Sequence, residues 1–389
     1  MTPQGLLSLC NVTTGKLDSN AAVEGGAYPF FTCAPQTLAI NTYAFDTEAV
    51  LLAGNNASGV FPVNYFNGKF NAYQRTYVLE SKDTDVLDNR FLFFALQLQL
   101  KLLQNLSTGA ATKFLTLGIM KEIQVPAVSI VDQRKIVGIL SAYDNLITAN
   151  QRRIQLLEES ARLLYREWFV KLRFPGHETV PVVDGVPEGW DIPKLAEIVD
   201  VNTSAISAKN HPELIRYIDI SSVETGEIGD VDEVSFDEAP GRARRRVQHG
   251  DVIWSCVRPN RRSYALIWEP EDNLIVSTGF AVLTARAVTF SYLYFTSTTD
   301  DFVSYLTSVA TGAAYPAVTA KDFEKAPILL PDKETLEAFD RIVLPMLEQI
   351  ETIKRHTKQL RQARYLLLPR LMSGALDVSR FTLPKEVVP

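Results

Sequence analysis

The hydrophobic pattern of the chain contains two long series of apolar residues with heptad spacing. In both series, steps of four and three residues alternate. The first comprises Ile136, Leu140, Tyr143, Ile147, Asn150, Ile154, Leu157, Ala161, Leu164 and Trp168. The second comprises Leu336, Phe339, Val343, Met346, Ile350, Ile353, Thr357, Leu360, Arg364, Leu367 and Leu371. A seam of period 3.5 predicts a coiled-coil helix.

The first helix is expected over residues 132–172, a stretch without proline. Pro345 should break the second helix, because proline lacks a backbone donor. One helix cannot bury such a seam in water, so we expect the two helices to pair antiparallel. Asn150 and Thr357 would then mark the register as polar positions on apolar seams. Two ordinary long core helices are the alternative, which the strict heptads disfavour.

Short motifs recur in the same order in both halves of the chain, which indicates an internal duplication. "LLSLCNVTTG" from Leu6 is matched by "LAEIVDVNTS" from Leu195, and "TGAA" occurs at Thr108 and Thr311. A Lys-acid-apolar step and a proline follow each "TGAA", at Lys121-Glu122-Ile123 with Pro126 and at Lys321-Asp322-Phe323 with Pro327. The order is therefore globule, helix, globule, helix, and the second globule has about 14 extra residues before Gly250.

Each globule mixes short strands with helices, which predicts α+β domains with modest, partly antiparallel sheets. The predicted strands are Ala49–Ala53, Val252–Cys256 and Ala281–Ala285, and "EAVLLAG" from Glu48 is the expected equivalent of "GDVIWSC" from Gly250. The predicted helices are "FLFFALQLQLKLLQNL" from Phe91 and "FSYLYFTSTTDDFVSYLTSV" from Phe290.

Composition favours a cytoplasmic globular protein. The three cysteines are far apart, which is typical of reduced thiols, and no apolar run approaches the roughly 18 residues of a membrane span. The start, "MTPQGLLSLC", lacks the features of a signal peptide. Net charge is -6, but its distribution is uneven. Residues 219–238 carry eight acidic groups and no Lys or Arg, whereas residues 241–262 carry seven Arg against Asp251.

The arginine-rich stretch is the stronger of two candidate DNA contacts. Its candidates are expected in loops before and after a strand, where guanidinium groups could contact phosphates and guanine edges. They are Arg242, Arg244, Arg245, Arg246, Arg258, Asn260, Arg261 and Arg262. A solvated surface that neutralises the acidic segment is the alternative. The first globule offers fewer cations, with candidates Lys16, Asn55, Asn56, Lys69, Tyr73 and Arg75.

The end of the first helix, "LLYREWFVKLRFPGHE", combines aromatic and charged residues. Leu163, Tyr165 and Phe169 lie off the seam, and exposed aromatics beside cations are typical of a protein interface. "LLLPRL" from Leu366 is the matching feature of the second helix. The expected partner contacts are Leu163, Tyr165, Trp168, Phe169 and Leu367.

Catalytic signatures are missing from the sequence. It has no Pro-Pro pair for a methyltransferase loop and no Gly-Lys-Ser/Thr phosphate loop. His177-Glu178 lacks the second histidine of a zinc protease, and the histidines and cysteines are too scattered for a metal site. We expect neither a catalytic site nor a metal.

"LLYREWFVKLRFPGHE", "VPEGWDIPKL" from Val186 and "RYLLLPRLMSGALDV" from Arg364 resemble segments of type I restriction-modification specificity subunits. "TGKLDSNAAVEGGAYPFFTC" and "GKFNAYQRTYVL" resemble the first recognition domain of many members. The resemblance covers essentially the whole chain. One departure is that no "PEGW" precedes Leu6 as it precedes Leu195.

The resemblance implies two target-recognition domains, over residues 1–131 and 179–331, separated by antiparallel conserved helices over residues 132–178 and 332–389. Each domain would read half of a bipartite duplex DNA target, and the helices would set the gap. Two methyltransferase subunits and two motor-nuclease subunits would be partners, and S-adenosylmethionine, ATP and magnesium would bind to them rather than to this chain. The competing class is a coiled-coil scaffold that spaces two protein- or glycan-binding domains.

Overall fold

The structure, a computed structural model, describes residues 3–57, 59–109 and 112–381. The first strands and helices, in chain order, are β1 (Gln4–Gly5), α1 (Leu6–Leu9), β2 (Cys10–Thr14), β3 (Tyr28–Phe31), β4 (Leu38–Ile40), β5 (Phe45–Ala53), β6 (Asn55–Asn56), β7 (Val63–Ala72), β8 (Thr76–Ser81), α2 (Asn89–Leu106), β9 (Lys113–Phe114), α3 (Leu117–Lys121), β10 (Gln124–Val125) and α4 (Ile130–Tyr165).

The remaining elements are β11 (Val182–Val183), β12 (Val186–Pro187), α5 (Leu195–Ile198), β13 (Val199–Val201), β14 (Leu214–Ile218), β15 (Val223–Glu224), β16 (Glu227–Ile228), β17 (Asp232–Ser235), β18 (Ala243–Arg246), β19 (Val252–Ser255), β20 (Tyr264–Leu266), β21 (Leu274–Ser277), β22 (Phe280–Ala285), α6 (Phe290–Thr296), α7 (Asp300–Val309), α8 (Ala320–Glu324) and α9 (Lys333–Met372). Unit 1 comprises Met1–Asn150 and His356–Pro389, and unit 2 comprises Gln151–Arg355, so α4 and α9 contribute to both.

Unit 1 is built on a six-stranded sheet with the order β2-β8-β5-β7-β3-β4. Its central strand β5 ends in "AVLLA", and Ala49–Ala53 are all buried because both faces of the strand are covered. Helix α2 starts at Asp88, whose carboxylate accepts hydrogen bonds from two free backbone amides of the first turn. Phe91, Phe94 and Leu103 of this helix are fully buried against the sheet.

Unit 2 contains two four-stranded sheets, with the orders β13-β22-β19-β20 and β17-β14-β21-β18. Helices α6 and α7 cover the first sheet, and each begins at a threonine (Thr289 or Thr299) whose hydroxyl caps its first turn. One helix was predicted where α6 and α7 stand. The prediction missed the break because "STT" from Ser297 supplies capping hydroxyls, which compete with helical hydrogen bonds.

The order of four strands is the same in both units, which confirms the duplication. The order β2-β8-β5-β7 in unit 1 corresponds to β13-β22-β19-β20 in unit 2, so β5 and β19 are equivalent as predicted. The amide of Leu6 donates to Ile123 O (3.0 Å), and that of Leu195 donates to Ala326 O (2.8 Å). These two hydrogen bonds make Ile123 equivalent to Ala326, so α3 and α8 are equivalent helices. In this alignment the predicted match of Lys121 with Lys321 was wrong by three residues. Residues 110 and 111 of the first "TGAA" lie outside the described residues.

Helices α4 and α9 pack antiparallel, as the heptads predict. In unit 1, Asn150 Nδ2 donates to Thr357 Oγ1 (3.1 Å), and Arg364 Nη2 donates to Asp144 Oδ2 (3.2 Å). In unit 2, the rings of Trp168 and Phe339 lie 5.9 Å apart. The polar pair predicted from the two seams is therefore formed.

The predicted break at Pro345 is absent, because α9 is continuous from Lys333 to Met372. Proline removes one hydrogen bond to the carbonyl four residues earlier, here that of Arg341. Pro345 and Arg341 are both exposed, so water can reach this side of the helix and hydrate the freed carbonyl.

The end of α4 also differs from the prediction. Regular helix stops at Tyr165, a wider π-type turn follows over Arg166–Val170, and Leu172 has a left-handed backbone with φ 58°. Tyr165 and Phe169, expected to be exposed, are buried. Their rings contact Tyr292 of α6 and Phe339 of α9, since α6 covers a helix face that the heptad pattern assigns to solvent.

Candidate nucleic-acid interface

Two loops of unit 2 meet where β19 ends. We call residues 256–263 the strand-end loop and residues 311–317 the facing loop. Val257 forms a bridge with Ala317, and the amide of Arg258 donates to Pro316 O (2.7 Å). The two loops are therefore joined through their backbones, and side chains from both are presented together.

The strand-end loop has an uncommon backbone. Arg258 (φ 53°) and Arg262 (φ 55°) both adopt the left-handed conformation, and Pro259–Arg261 form a single 3-10 turn between them. Left-handed residues other than glycine are sparse and cost on the order of 1–3 kcal/mol each when the surroundings enforce them. Such strain is concentrated at functional sites, which makes this loop a candidate site.

Four candidate residues of the loop have different surroundings. The guanidinium of Arg258 lies 4.4 Å from the centroid of the Tyr315 ring, and its Nη2 donates to Ala314 O (3.3 Å). Asn260 and Arg261 are exposed. Arg262 forms an ion pair with Asp300, and this hydrogen bond lowers the pKa of the Asp300 carboxyl.

A cavity of about 950 Å³ lies beside the strand-end loop. Arg258, Arg261 and Tyr315 line it together with Ser255 and Val257. Three acidic residues line it as well, and these are Asp219, Glu224 and Glu227. The cavity therefore combines cationic donors with anionic acceptors, a mixture suited to polar edges that carry both donors and acceptors.

The arginines before β19 were predicted to lie in a loop, and this was wrong. Arg244, Arg245 and Arg246 belong to β18, the edge strand of its sheet. A charged edge strand discourages pairing with other chains, so such a run can serve the fold. Only Arg242 lies in a turn, where it forms an ion pair with Asp219 (2.8 Å).

The side chains on β18 are half-buried and have partners within the unit. Arg244 lies 5.0 Å from the Phe236 ring centroid, Arg245 donates to Asn202, and Arg246 donates to Asn210 (3.4 Å). Burial lowers the pKa of Arg245. These partners hold the three guanidinium groups against unit 2.

A helix residue that the sequence did not single out supports the strand-end loop. Arg162 of α4 donates from Nη2 to the hydroxyl of Tyr264 (3.2 Å) and from Nη1 to Thr298 Oγ1 (3.2 Å). Tyr264 follows the loop directly as the first residue of β20. The position of Arg162 on α4 was predictable, but its partner Tyr264 lies about a hundred residues away in sequence.

Unit 1 has a smaller cavity, of about 390 Å³, at the corresponding strand end. Asn55, Asn56, Tyr73 and Thr112 line it, so the structure brings three of the six candidates of this unit together. Asn55 pairs with Phe114 and Asn56 with Lys113. In unit 2 the equivalent bridge joins Val257 to Ala317. Asn55 therefore corresponds to Val257, and Asn56 corresponds to Arg258.

The other three candidates of unit 1 are exposed and do not line this cavity. Lys16 follows β2, and Lys69 of β7 lies 4.7 Å from the Tyr43 ring centroid. Arg75 lies 5.5 Å from the ring of Phe114, which belongs to the strand that pairs with Asn55. Arg75 is therefore close to the cavity, whereas Lys69 lies further along β7.

The sequence did not single out the aromatic partner of Arg258. Tyr315 follows the second "TGAA", and Thr112 follows the first, so the repeated motif precedes a cavity-lining residue in both units.

Among the expected partner contacts, Leu163 is exposed and Leu367 is half-buried, whereas Trp168 is buried with Tyr165 and Phe169. Tyr365 and Leu366 are exposed in the same segment as Leu367 but were not among the expected contacts.

The residues that the structure describes bear on two other kinds of function. They contain no group of three or more His, Cys, Asp or Glu side chains placed to hold a metal ion. Within the described ranges, no helix has the length and apolar content needed to cross a membrane.

The fold and the sequence both match known specificity proteins. Residues 6–159 match the family described as type I restriction modification DNA specificity domain. The EcoDI specificity subunit of Escherichia coli is 24% identical over 372 residues, covering 89% of this chain and 81% of that protein. The MjaVIII specificity subunit of Methanocaldococcus jannaschii is 21% identical over 341 residues, covering 85% of this chain and 79% of that protein.

A solved structure extends the likeness to the fold. The crystal structure of the type I restriction-modification S subunit from M. genitalium covers 95% of both chains with a TM-score of 0.65 and 16% sequence identity. The fold is thus that of a two-domain S subunit with long shared helices. In sequence and in fold, the chain is similar to the type I restriction-modification specificity subunits.

Proposed function

We propose that this chain is the DNA-specificity subunit of a type I restriction-modification complex, in which each unit reads one half of a bipartite target. The observation that carries the proposal is the duplicated four-strand sheet, with a loop-lined cavity at the same strand end in both units. Two equivalent but chemically different cavities suit two different half-sites. One presents arginines and carboxylates, the other asparagines.

The chain supplies recognition rather than catalysis in this proposal. Methyltransferase subunits would bind the chain and methylate adenines, and motor-nuclease subunits would join for cleavage. S-adenosylmethionine, ATP and magnesium would act on those partners. The paired helices α4 and α9 would set the number of unread base pairs, because their heptad register is fixed by Asn150 and Thr357.

Weak binding by the isolated chain is expected, since its net charge of -6 opposes association with duplex DNA. The test is therefore a mobility-shift titration of the chain with and without its methyltransferase partner, on duplexes whose two half-sites are varied independently. The proposal requires sequence-specific binding by the complex that is lost when either half-site is changed. Binding without sequence preference would contradict it and favour a scaffold.

A further inference from the structure

Among the arginines of the basic region that lie outside β18, Arg258 differs in what surrounds its guanidinium group. Among the described residues, no carboxylate lies within ion-pair distance of it, whereas Arg242 and Arg262 are paired with Asp219 and Asp300. Its neighbours are the Tyr315 ring and the carbonyl of Ala314. One bond to a carbonyl leaves most of the five guanidinium donors available for a ligand.

The side chain is also held in place before any ligand arrives. The left-handed backbone of Arg258, followed by Pro259, restricts where the side chain can start, and the ring of Tyr315 supports the guanidinium plane. Tyr315 itself is 68% exposed, so the pair is reached from solvent. A supported guanidinium loses less conformational freedom on binding than a mobile one, which favours a directional contact.

The charges of the cavity indicate which part of DNA this contact would meet. Glu224 and Glu227 line the same cavity as Arg258 and are exposed, so their carboxylates would repel a phosphate placed there. A base edge carries no charge and can face donors and acceptors at once. Guanine presents two acceptors, O6 and N7, to the major groove, and a guanidinium fork matches both.

We propose that Arg258, supported by Tyr315, reads a guanine in the half-site recognised by unit 2. This deepens the proposed function and rests on it. Arg261 lines the same cavity but is exposed and, among the described residues, has no aromatic support, so we expect it to contact phosphates outside the cavity instead. The equivalent of Arg258 in unit 1 is Asn56, so the half-site read by unit 1 has no guanidinium contact at the corresponding position.

The experiment compares Arg258→Gln with Arg261→Gln, a matched loss of one charge from the same wall. Each full-length variant is assembled with the methyltransferase partner and titrated with the target duplex and its single-base variants, at several salt concentrations. For Arg258→Gln, we expect the preference for one guanine of the second half-site to fall about 10- to 100-fold, with all other positions unchanged. The salt dependence of binding should be unchanged, because no phosphate contact is lost.

Arg261→Gln should weaken binding to all duplexes alike and reduce the slope of log affinity against log salt by about one. Arg258→Lys keeps the charge but lacks the fork, so it should relax the same position as Arg258→Gln. Unchanged tryptophan fluorescence and urea midpoints would verify folding of unit 2, which contains all four tryptophans of the chain.

The outcomes separate this inference from the proposed function. If the unaltered complex binds with a bipartite preference but Arg258→Gln weakens every duplex equally and reduces the salt slope, Arg258 is a phosphate contact and the guanine assignment fails. Full retention of specificity by a folded Arg258→Gln complex overturns it as well. If the unaltered complex has no sequence preference, the proposed function itself fails.

Discussion

Replacing Phe339 with alanine tests how α9 holds unit 2 together. The ring is fully buried and lies 5.0–6.2 Å, centroid to centroid, from the four rings of Tyr165, Trp168, Phe169 and Phe295. Truncation of a buried phenylalanine to alanine costs about 3–5 kcal/mol. The lost aromatic pairs favour the upper half of that range, since each contributes about 0.5–1.5 kcal/mol beyond its buried area.

Intrinsic fluorescence is the appropriate assay, because Trp168, Trp190, Trp254 and Trp268 are the four tryptophans of the chain and all belong to unit 2. With a urea dependence of about 3 kcal/mol per molar, the fluorescence midpoint of Phe339→Ala should fall by roughly 1.3–1.7 M. Gln349→Ala, on the same helix and in the same unit, is the control, because that side chain is exposed and its loss should change stability by less than about 0.5 kcal/mol.

Equal midpoints for Phe339→Ala and the unaltered chain would refute the assignment of this ring to the core of unit 2. An equally large loss in Gln349→Ala would refute the reasoning from burial. Because the chain has two units, the fluorescence midpoint is compared rather than one overall free energy of unfolding.

Three further changes probe the helices. Asn150→Ala should cost about 1–3 kcal/mol, measured by urea unfolding followed by helical circular dichroism, whereas combining Asn150→Leu with Thr357→Val should cost much less; equal costs would contradict the buried pair. Burial raises the pKa of Glu158, so its charged form destabilises unit 2 increasingly as pH rises above the unfolded-state value of about 4.3. Glu158→Gln should therefore raise the melting temperature at pH 7, and the gain should vanish at low pH; a gain independent of pH would contradict this. Pro345→Ala should raise the fluorescence midpoint by restoring a helical hydrogen bond, and a lowered midpoint would show that proline is favourable there.

The heptad pattern predicted both long helices and the Asn150–Thr357 pair, since a period of 3.5 is a local property of the sequence. It could not predict the effect of Pro345, because that depends on whether the freed carbonyl faces water or a neighbouring helix. It also misplaced Tyr165 and Phe169, since a heptad projection identifies one partner helix and is blind to α6, which contacts a second face.

Sequence reasoning located part of the candidate interface, and tertiary structure supplied the rest. Arg258 and Arg261 were among the predicted contacts because clusters of charge are visible in the sequence. The run Arg244–Arg246 misled because a charged edge strand lacks the alternation that identifies strands. Tyr315 was missed because its contact with Arg258 spans 57 positions, and the two loops come together only in the folded unit, through backbone pairing such as the bridge between Val257 and Ala317.

The left-handed backbone of Arg258 has a consequence for engineering this protein. Glycine or asparagine tolerates that conformation better than arginine, so a search for stabilising substitutions would favour either residue at this position. Such a variant would be more stable to heat but would lack the guanidinium group. Unit 2 would then bind DNA with less sequence preference. Selections for higher thermal stability therefore need to keep arginine at position 258.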